Sequence, residues 1–348
     1  MRVGRLTSCI ARLSCVGYAP STTANVTKKP PYYHQTKICA SQASSPNVLD
    51  VITEFPEITE AEALGAVERL NRDLIKALKL SDSEARFLVD TYYQLQEDRI
   101  RSAHQTRTLE EAGEPNAVLD WLEAQNRFLE GQLKGALGAY ALRRPEGEWM
   151  RSITGIGPVI SAGLLASIDV TKSPTAGALW HFAGYDPSVV WGKGEKRPWN
   201  ARLKVLGYKA GESFIKFKNH ANDHYGHYYD ERKAYEQANN DAGLYADQAA
   251  RILTIKKIGK DTEAYKHYSE GHLPPGHIHA RARRWVVKLF LSHVWEVMYW
   301  CHYEKLGPRP YVLEHMGHVH KIAPPNLALV PGGMLEAYRA EYPGLDSD

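Results

Sequence analysis

Residues 151–169 read Arg-Ser-Ile-Thr-Gly-Ile-Gly-Pro-Val-Ile-Ser-Ala-Gly-Leu-Leu-Ala-Ser-Ile-Asp. The order of glycine, proline and apolar residues points to a helix end, a tight Gly-x-Gly hairpin and a second helix. Gly155 and Gly157 flank Ile156, which lets the turn take left-handed torsions that a side chain would forbid. Pro158 falls at the first position of the second helix, where its missing N–H costs nothing. Amides from Thr154 through Val159 would then face outward at a helix start, an arrangement that favours an anion such as a phosphate oxygen. Val159, Ile160, Leu164, Leu165 and Ile168 supply an apolar face, and Ala162, Gly163 and Ala166 admit a neighbouring helix closely. Two readings are open. One is a grip on a nucleic-acid backbone through Thr154, Gly155, Ile156, Gly157 and Val159; the other is an ordinary helical hairpin. The first is the expectation adopted.

Charge supports it. The 348 residues carry a formal net charge of only +3, but unevenly. Residues 50–150 hold 12 basic and 20 acidic side chains, whereas residues 151–305 hold 22 basic and 15 acidic. The basic excess begins at the hairpin, where a polyanion would need it. No run approaches the roughly 18 apolar residues that cross a bilayer, so no membrane partner is expected. Cys9, Cys15, Cys39 and Cys301 show no metal spacing or disulfide framework, and a reducing cytoplasmic setting is the default, nucleoid-associated in a bacterium.

Four regions are expected. Residues 1–46 have the composition of a disordered extension, or of translation read from too far upstream; their Arg- and Ser-containing, acid-free make-up also resembles an organellar leader. Residues 47–147 read as a helical, coiled-coil-like scaffold. A first helix follows the Thr59-x-x-Glu62 capping box, a second begins at Ser81-x-x-Glu84, and a third follows Pro115. Helices in 58–145 are candidates for a homo-oligomer interface. Residues 148–305 are expected to form a helical domain containing the hairpin. Its helices fall at 175–182 with Ser173 as N-cap, roughly 206–238, 241–258 and 277–304, with minor β structure near 188–205. Residues 306–348 read as a Pro/Gly-rich extended tail. The fold class is mainly α.

Within the third region, residues 190–220 interleave Lys193, Lys196, Arg197, Arg202 and Lys204 with Trp191, Trp199, Tyr208 and Phe214. Cations neutralise phosphates and aromatic rings stack on exposed bases. The stretch from Gly276 contains His277 and His279, then Arg281, Arg284 and Lys288 at helical spacing on one face. His220, His224 and His227 could share a helical face with Asp223, but no general base sits at a matching spacing, and no metal site is assigned. Serines 161, 188 and 213 lie in no nucleophile elbow, so spacing alone selects none.

Residues Ile153–Asp169, followed by Ser173-Pro-Thr-Ala-Gly-Ala-Leu-Trp-His-Phe-Ala-Gly-Tyr-Asp-Pro187, resemble the C-terminal transposase domain of the one-ten/one-sixteen/nine-oh-two family of insertion sequences. The resemblance covers about 118–303 and is most specific over 151–187. It implies DNA as partner, structured RNA as a further one, and a role in transposition and recombination. It also implies a nucleophilic serine in the loop after Ala183-Gly184-Tyr185-Asp186-Pro187. Ser188 is the nearest serine, while Trp191-Gly192 stands at the family's Ser-Gly position. The family's ribonuclease-H-like domain, with its metal-binding carboxylates, has no counterpart upstream. Strand transfer is therefore expected only with a partner carboxylate domain supplying magnesium, and no cofactor is assigned to this chain. A DNA-binding relative is the leading reading; a serine-dependent strand-transfer enzyme and a helical protein-interaction module are the alternatives.

Overall fold

Ser81 and Glu84 start the first long helix as a reciprocal cap. The Ser81 Oγ accepts from the Glu84 amide at 3.3 Å, and the Glu84 carboxylate accepts from the Ser81 amide at 2.7 Å. Helix α1 (Asp82–Ala112) stops at Gly113, whose φ of 75° gives the left-handed C-cap. Asn116 then caps α2 (Ala117–Ala141). The short connection turns α2 back along α1, and Arg99 of α1 meets Glu130 of α2 at 2.6 Å.

The structure, a computed structural model, describes residues 69–343 apart from 72, 74, 76–78, 115, 193 and 310–320. All belong to one unit, Glu60–Asp348. The expectations for residues 1–46, and most of the helix expected after Thr59, lie outside the described residues. After α2 come α3 (Pro145–Ser152), α4 (Pro158–Ser167), a 3-10 turn (Val170–Lys172) and α5 (Ala176–Phe182). They are followed by α6 (Ala201–Phe217), α7 (Tyr225–Asp241), α8 (Ala246–Ile255), α9 (Glu263–Ser269) and α10 (Pro275–Tyr303). A 3-10 turn (Leu327–Leu329) and α11 (Met334–Glu341) close the order. The fold is mainly α, as the sequence implies.

Helix α4 is the buried centre. Seven of its ten residues, Val159 and Ser161 through Ala166, are buried, and it packs against α1, α2, α3 and α6. Helix α10 is the second organising element and packs against α3, α5, α6 and α7. Apolar side chains from both join one cluster that runs from Ala85 to Tyr338. Buried indoles tie irregular segments to this cluster by donating to backbone carbonyls: Trp149 to Pro325 at 2.6 Å, Trp295 to Ser173 at 2.7 Å and Trp300 to Pro331 at 2.9 Å. Each satisfies an N–H that burial would otherwise leave costly.

Several local expectations are corrected. No strand occurs among the described residues. Residues 201–205 instead open α6, because the Asn200 side chain accepts from the Leu203 amide at 3.1 Å and caps it. Thr175, not Ser173, caps α5, through its Oγ1 and the Ala178 amide; Ser173 is buried and its carbonyl is taken by Trp295. The single helix expected over 206–238 is two. Chain reversal brings Gly226 so near Lys218 that a Cβ would lie 2.5 Å from the lysine Cα. The Asp223 carboxylate then accepts from the Gly226 and His227 amides to start α7. The helix expected over 241–258 is likewise shorter, beginning after Gly243, which has a φ of 77°. The tail is not wholly extended, since it contains α11.

The junction of α2 and α3 depends on Gly147, where a Cβ would come 2.0 Å from the Ala141 carbonyl oxygen. A backbone oxygen cannot rotate away as a side chain can. Gly147→Ala is expected to destabilise by about 3 kcal/mol, the upper range for overpacking, and to lower Tm by roughly 5–10 °C in a thermal melt. An unchanged melt would contradict this packing.

Candidate nucleic-acid interface

The hairpin between α3 and α4 uses its two glycines differently. Gly155 has a φ of 93° and needs the left-handed region. Gly157 is extended, at φ −85° and ψ 174°, so the second glycine is not required by torsion. The protein itself holds the hairpin's carbonyl side. Ser213 Oγ donates to the Gly155 oxygen at 2.6 Å, and the Arg151 guanidinium donates to the Ile156 oxygen at 2.7 Å. The Thr154 hydroxyl donates to the Asn222 oxygen at 2.7 Å. Ile156 and Val159 bury their side chains, which leaves only their backbones to face a ligand. The Gly157 and Val159 amides find no acceptor among the described residues. This is the donor-rich end of α4.

A second feature lies further along α6. A groove of about 640 Å³ is floored by the first half of α10 and walled by residues 184–187 and 189, the start of α6 and part of α7. Six cations line it: Lys204, Arg232, Arg281, Arg283, Arg284 and Lys288. Tyr185, Tyr208 and Trp285 are interleaved with them. Three of the cations are paired. Arg232 and Arg281 both clasp the buried Glu236, at 2.6 Å each, and Arg283 pairs with Glu212. Lys204, Arg284 and Lys288 have no carboxylate ion-pair partner among the described residues; Lys204 and Lys288 instead lie 4.1 Å over the rings of Trp199 and Trp180. Burial lowers the pKa of all three, helped for Lys204 by Arg284 and for Arg284 by Arg281 and Arg283. Crowded, partly desolvated cations of this kind are stabilised by an arriving anion.

The loop between α5 and α6 borders the groove through Pro187 and Val189. Between them, exposed Ser188 donates its hydroxyl to Asp186 Oδ1 at 2.7 Å, and its amide donates to the same oxygen at 2.9 Å. These two bonds hold the Asp186 carboxyl below its ordinary pKa. His181 Nδ1 lies 3.4 Å from the other Asp186 oxygen. The order is therefore serine, carboxylate, imidazole, with the serine hydroxyl donating to an ionised carboxylate, a weak base. Further along, Trp191 donates its indole N–H to the Glu195 oxygen at 2.8 Å. Trp199 meets Trp191 edge-on, and the Arg197 guanidinium lies 5.4 Å from the Trp191 ring centroid.

The structure brings Lys204 into the groove beside Arg281, Arg284 and Lys288, whose helical spacing places those three on one face of α10. Lys196 and Arg197 are exposed on the adjoining loop. Lys193 lies outside the described residues. Arg202 turns instead to α1 and pairs with Asp90 at 3.1 Å. His277 and His279 accept or donate at Tyr268 and Tyr229, at 3.2 and 2.7 Å. Burial, then nearby arginines, lowers the pKa of both histidines, which keeps them neutral at pH 7. The hairpin does not join the groove directly. Ser213 and Lys204 are nine residues apart on α6, about 13 Å along the axis. Sequence reasoning missed Arg283 and Arg232. Arg283 had a signal, since it adjoins Arg284; Arg232 had none, since α7 reaches the groove only through tertiary packing.

If the unpaired cations repel one another, phosphate should stabilise the fold beyond an ionic-strength effect. At about ten times its Kd, a bound anion adds roughly 1.4 kcal/mol, a Tm rise of a few degrees. Equal ionic strength of chloride should give less, and the combined variant Lys204→Ala, Arg284→Ala, Lys288→Ala should abolish the difference. Thermal melts in the two salts decide it.

Among the described residues, no helix is long and apolar enough to cross a membrane. No curated protein and no solved structure matches the chain. A family model described as "Transposase IS116/IS110/IS902 family" matches residues 147–221, the stretch that holds the hairpin, α5, the Ser188 loop and α6, and ends before α7 and α10. Residues 147–221 are thus similar to the transposases of the IS116/IS110/IS902 family, which points to a role related to transposition.

Proposed function

We propose that the chain binds the sugar-phosphate backbone of DNA in the course of transposition. The groove takes phosphates through Lys204, Arg284 and Lys288, and the hairpin offers the Gly157 and Val159 amides as a second contact. The observation that carries this reading is the convergence of three cations without carboxylate partners on a groove that residues between 184 and 208 of the transposase-like segment share with α7 and α10. Structured RNA, another polyanion, is a second partner of the same chemistry. Self-association through α1 and α2 is supported by the exposed Phe87, Ile100, Val118 and Leu122.

Fluorescence anisotropy against duplex DNA over a range of salt tests the reading. Log affinity should fall with log salt by about 0.9 for each phosphate neutralised. The combined substitution of Lys204, Arg284 and Lys288 by alanine should weaken binding and flatten that slope by about two to three. A Cβ added at Gly157 meets nothing within 4 Å, so Gly157→Asp places a negative charge at the hairpin without a steric penalty. It should lower duplex affinity several-fold; unchanged affinity removes the hairpin from the interface. Salt-independent association would favour a protein-interaction module instead.

A second reading keeps Ser188 as a nucleophile for DNA strand transfer, favoured by its place between two residues that line the groove. The groove's two carboxylates do not make a metal centre. Glu236 is consumed by Arg232, Arg281 and Tyr245, and Asp186 by Ser188. Metal-binding carboxylates would have to come from a partner domain. Ser188→Ala should abolish strand joining with such a partner while leaving DNA affinity intact. Unimpaired joining would remove the serine.

A further inference from the structure

Eight tryptophans occur in the chain, and Trp191 is the exposed one. Trp149, Trp295 and Trp300 are buried, and Trp121, Trp180, Trp199 and Trp285 are half-buried. Trp191 is 39% exposed, and its neighbour Val190 is 91% exposed. A tryptophan serving only to lock a turn would bury its ring, because apolar area is its main contribution to stability. Trp191 is instead held by three neighbours while part of its ring stays open to solvent. Its one polar group is satisfied inside the loop by Glu195, Trp199 meets it edge-on with centroids 6.0 Å apart, and Arg197 lies over its ring. The ring is held in a set orientation with no further polar demand.

Its position relates it to the phosphate groove. Val189 lines the groove, one residue from Val190. Lys204, also a lining residue, lies over the ring of Trp199, which in turn contacts Trp191. Exposed Lys196 and Arg197 flank the loop. A pre-oriented ring beside cations is how a protein takes a single strand: phosphates are neutralised while bases stack on the aromatic. A base inside intact duplex already has both faces covered, so the ring gains a partner only where bases are unpaired.

We propose that Trp191 stacks on an unpaired base of a DNA strand whose phosphates occupy the groove, giving the chain a preference for locally opened DNA over continuous duplex. This rests on the DNA-binding reading above and adds the form of DNA recognised.

Anisotropy on the full chain with three probes tests it: a blunt duplex, the same duplex with a short unpaired bulge, and the single strand. The wild type is expected to bind the bulged and single-stranded probes more tightly. Trp191→Ala should weaken those two by about tenfold, in the range measured for one base–aromatic stack, with duplex affinity and the salt slope unchanged. Trp191→Phe, which keeps a π face and loses the N–H, should restore most of the loss. A 5-iododeoxyuridine in the bulge should photocross-link to Trp191. Equal binding of bulged and blunt probes, unaffected by Trp191→Ala, overturns this inference and leaves backbone binding standing. A uniform loss on all probes in both variants also overturns it, by assigning Trp191 to loop shape alone. Failure to bind any probe overturns both readings.

Discussion

Leu206 of α6 rests on α4 at Gly163, where a Cβ would come within 2.8 Å of the leucine Cδ1. That seat governs what α6 can reach. The same helix approaches α10 at Gly211, where a Cβ would lie 2.7 Å from Val287 and 2.9 Å from Arg283, and approaches Tyr185 at Gly207. Three glycines, one on α4 and two a turn apart on α6, thus let the central helix lie closer to its neighbours than alanine would allow. With α6 held there, Ser213 reaches the hairpin carbonyl and Lys204 reaches the groove. The hairpin and the groove are then two stations on one rigid rod, not two independent loops.

Electrostatics sort the groove cations into those that build it and those that could serve a ligand. Glu236 is almost fully buried and receives Arg232, Arg281 and Tyr245. Burial pushes its pKa up, but the three donors outweigh it and the carboxyl ends below its ordinary value. Breaking such a cluster is costly, whereas its net contribution to stability is modest. Its use here is geometric, since it joins α7 to α10 and turns Arg281 toward the groove floor. Lys204, Arg284 and Lys288 are left with rings and one another. Burial, then repulsion between Lys204 and Arg284, lowers the pKa of Lys204.

The loop after α5 shows how local chemistry can be redirected. Its serine and aspartate satisfy each other in a turn, and its tryptophan stands exposed beyond them. The turn is closed by Glu195 on the Gly192 amide at 2.9 Å and on the Trp191 indole through its backbone oxygen. Those bonds, with the Glu195 amide on the Gly192 oxygen, turn the chain back on itself within four residues.

Much was legible in the residues themselves. The Ser81–Glu84 box, the left-handed Gly155, the proline that opens α4 and the basic row Arg281, Arg284, Lys288 all follow from bonds or torsions within a few positions, which is why local pattern predicts them. The cap at Thr175 was misplaced onto Ser173 because both residue types can cap, and only Trp295, 122 positions away, claims the latter's carbonyl. The break at 218–224 was missed because helix propensity alone does not register that Gly226 must pass against Lys218. The sequence by itself therefore determined the helical class, the glycine turn before α4 and the sign of the charge. Tertiary structure decided which cations meet, which are neutralised and which ring stays exposed. Those outcomes depend on contacts between residues far apart in the chain, and no local periodicity encodes them.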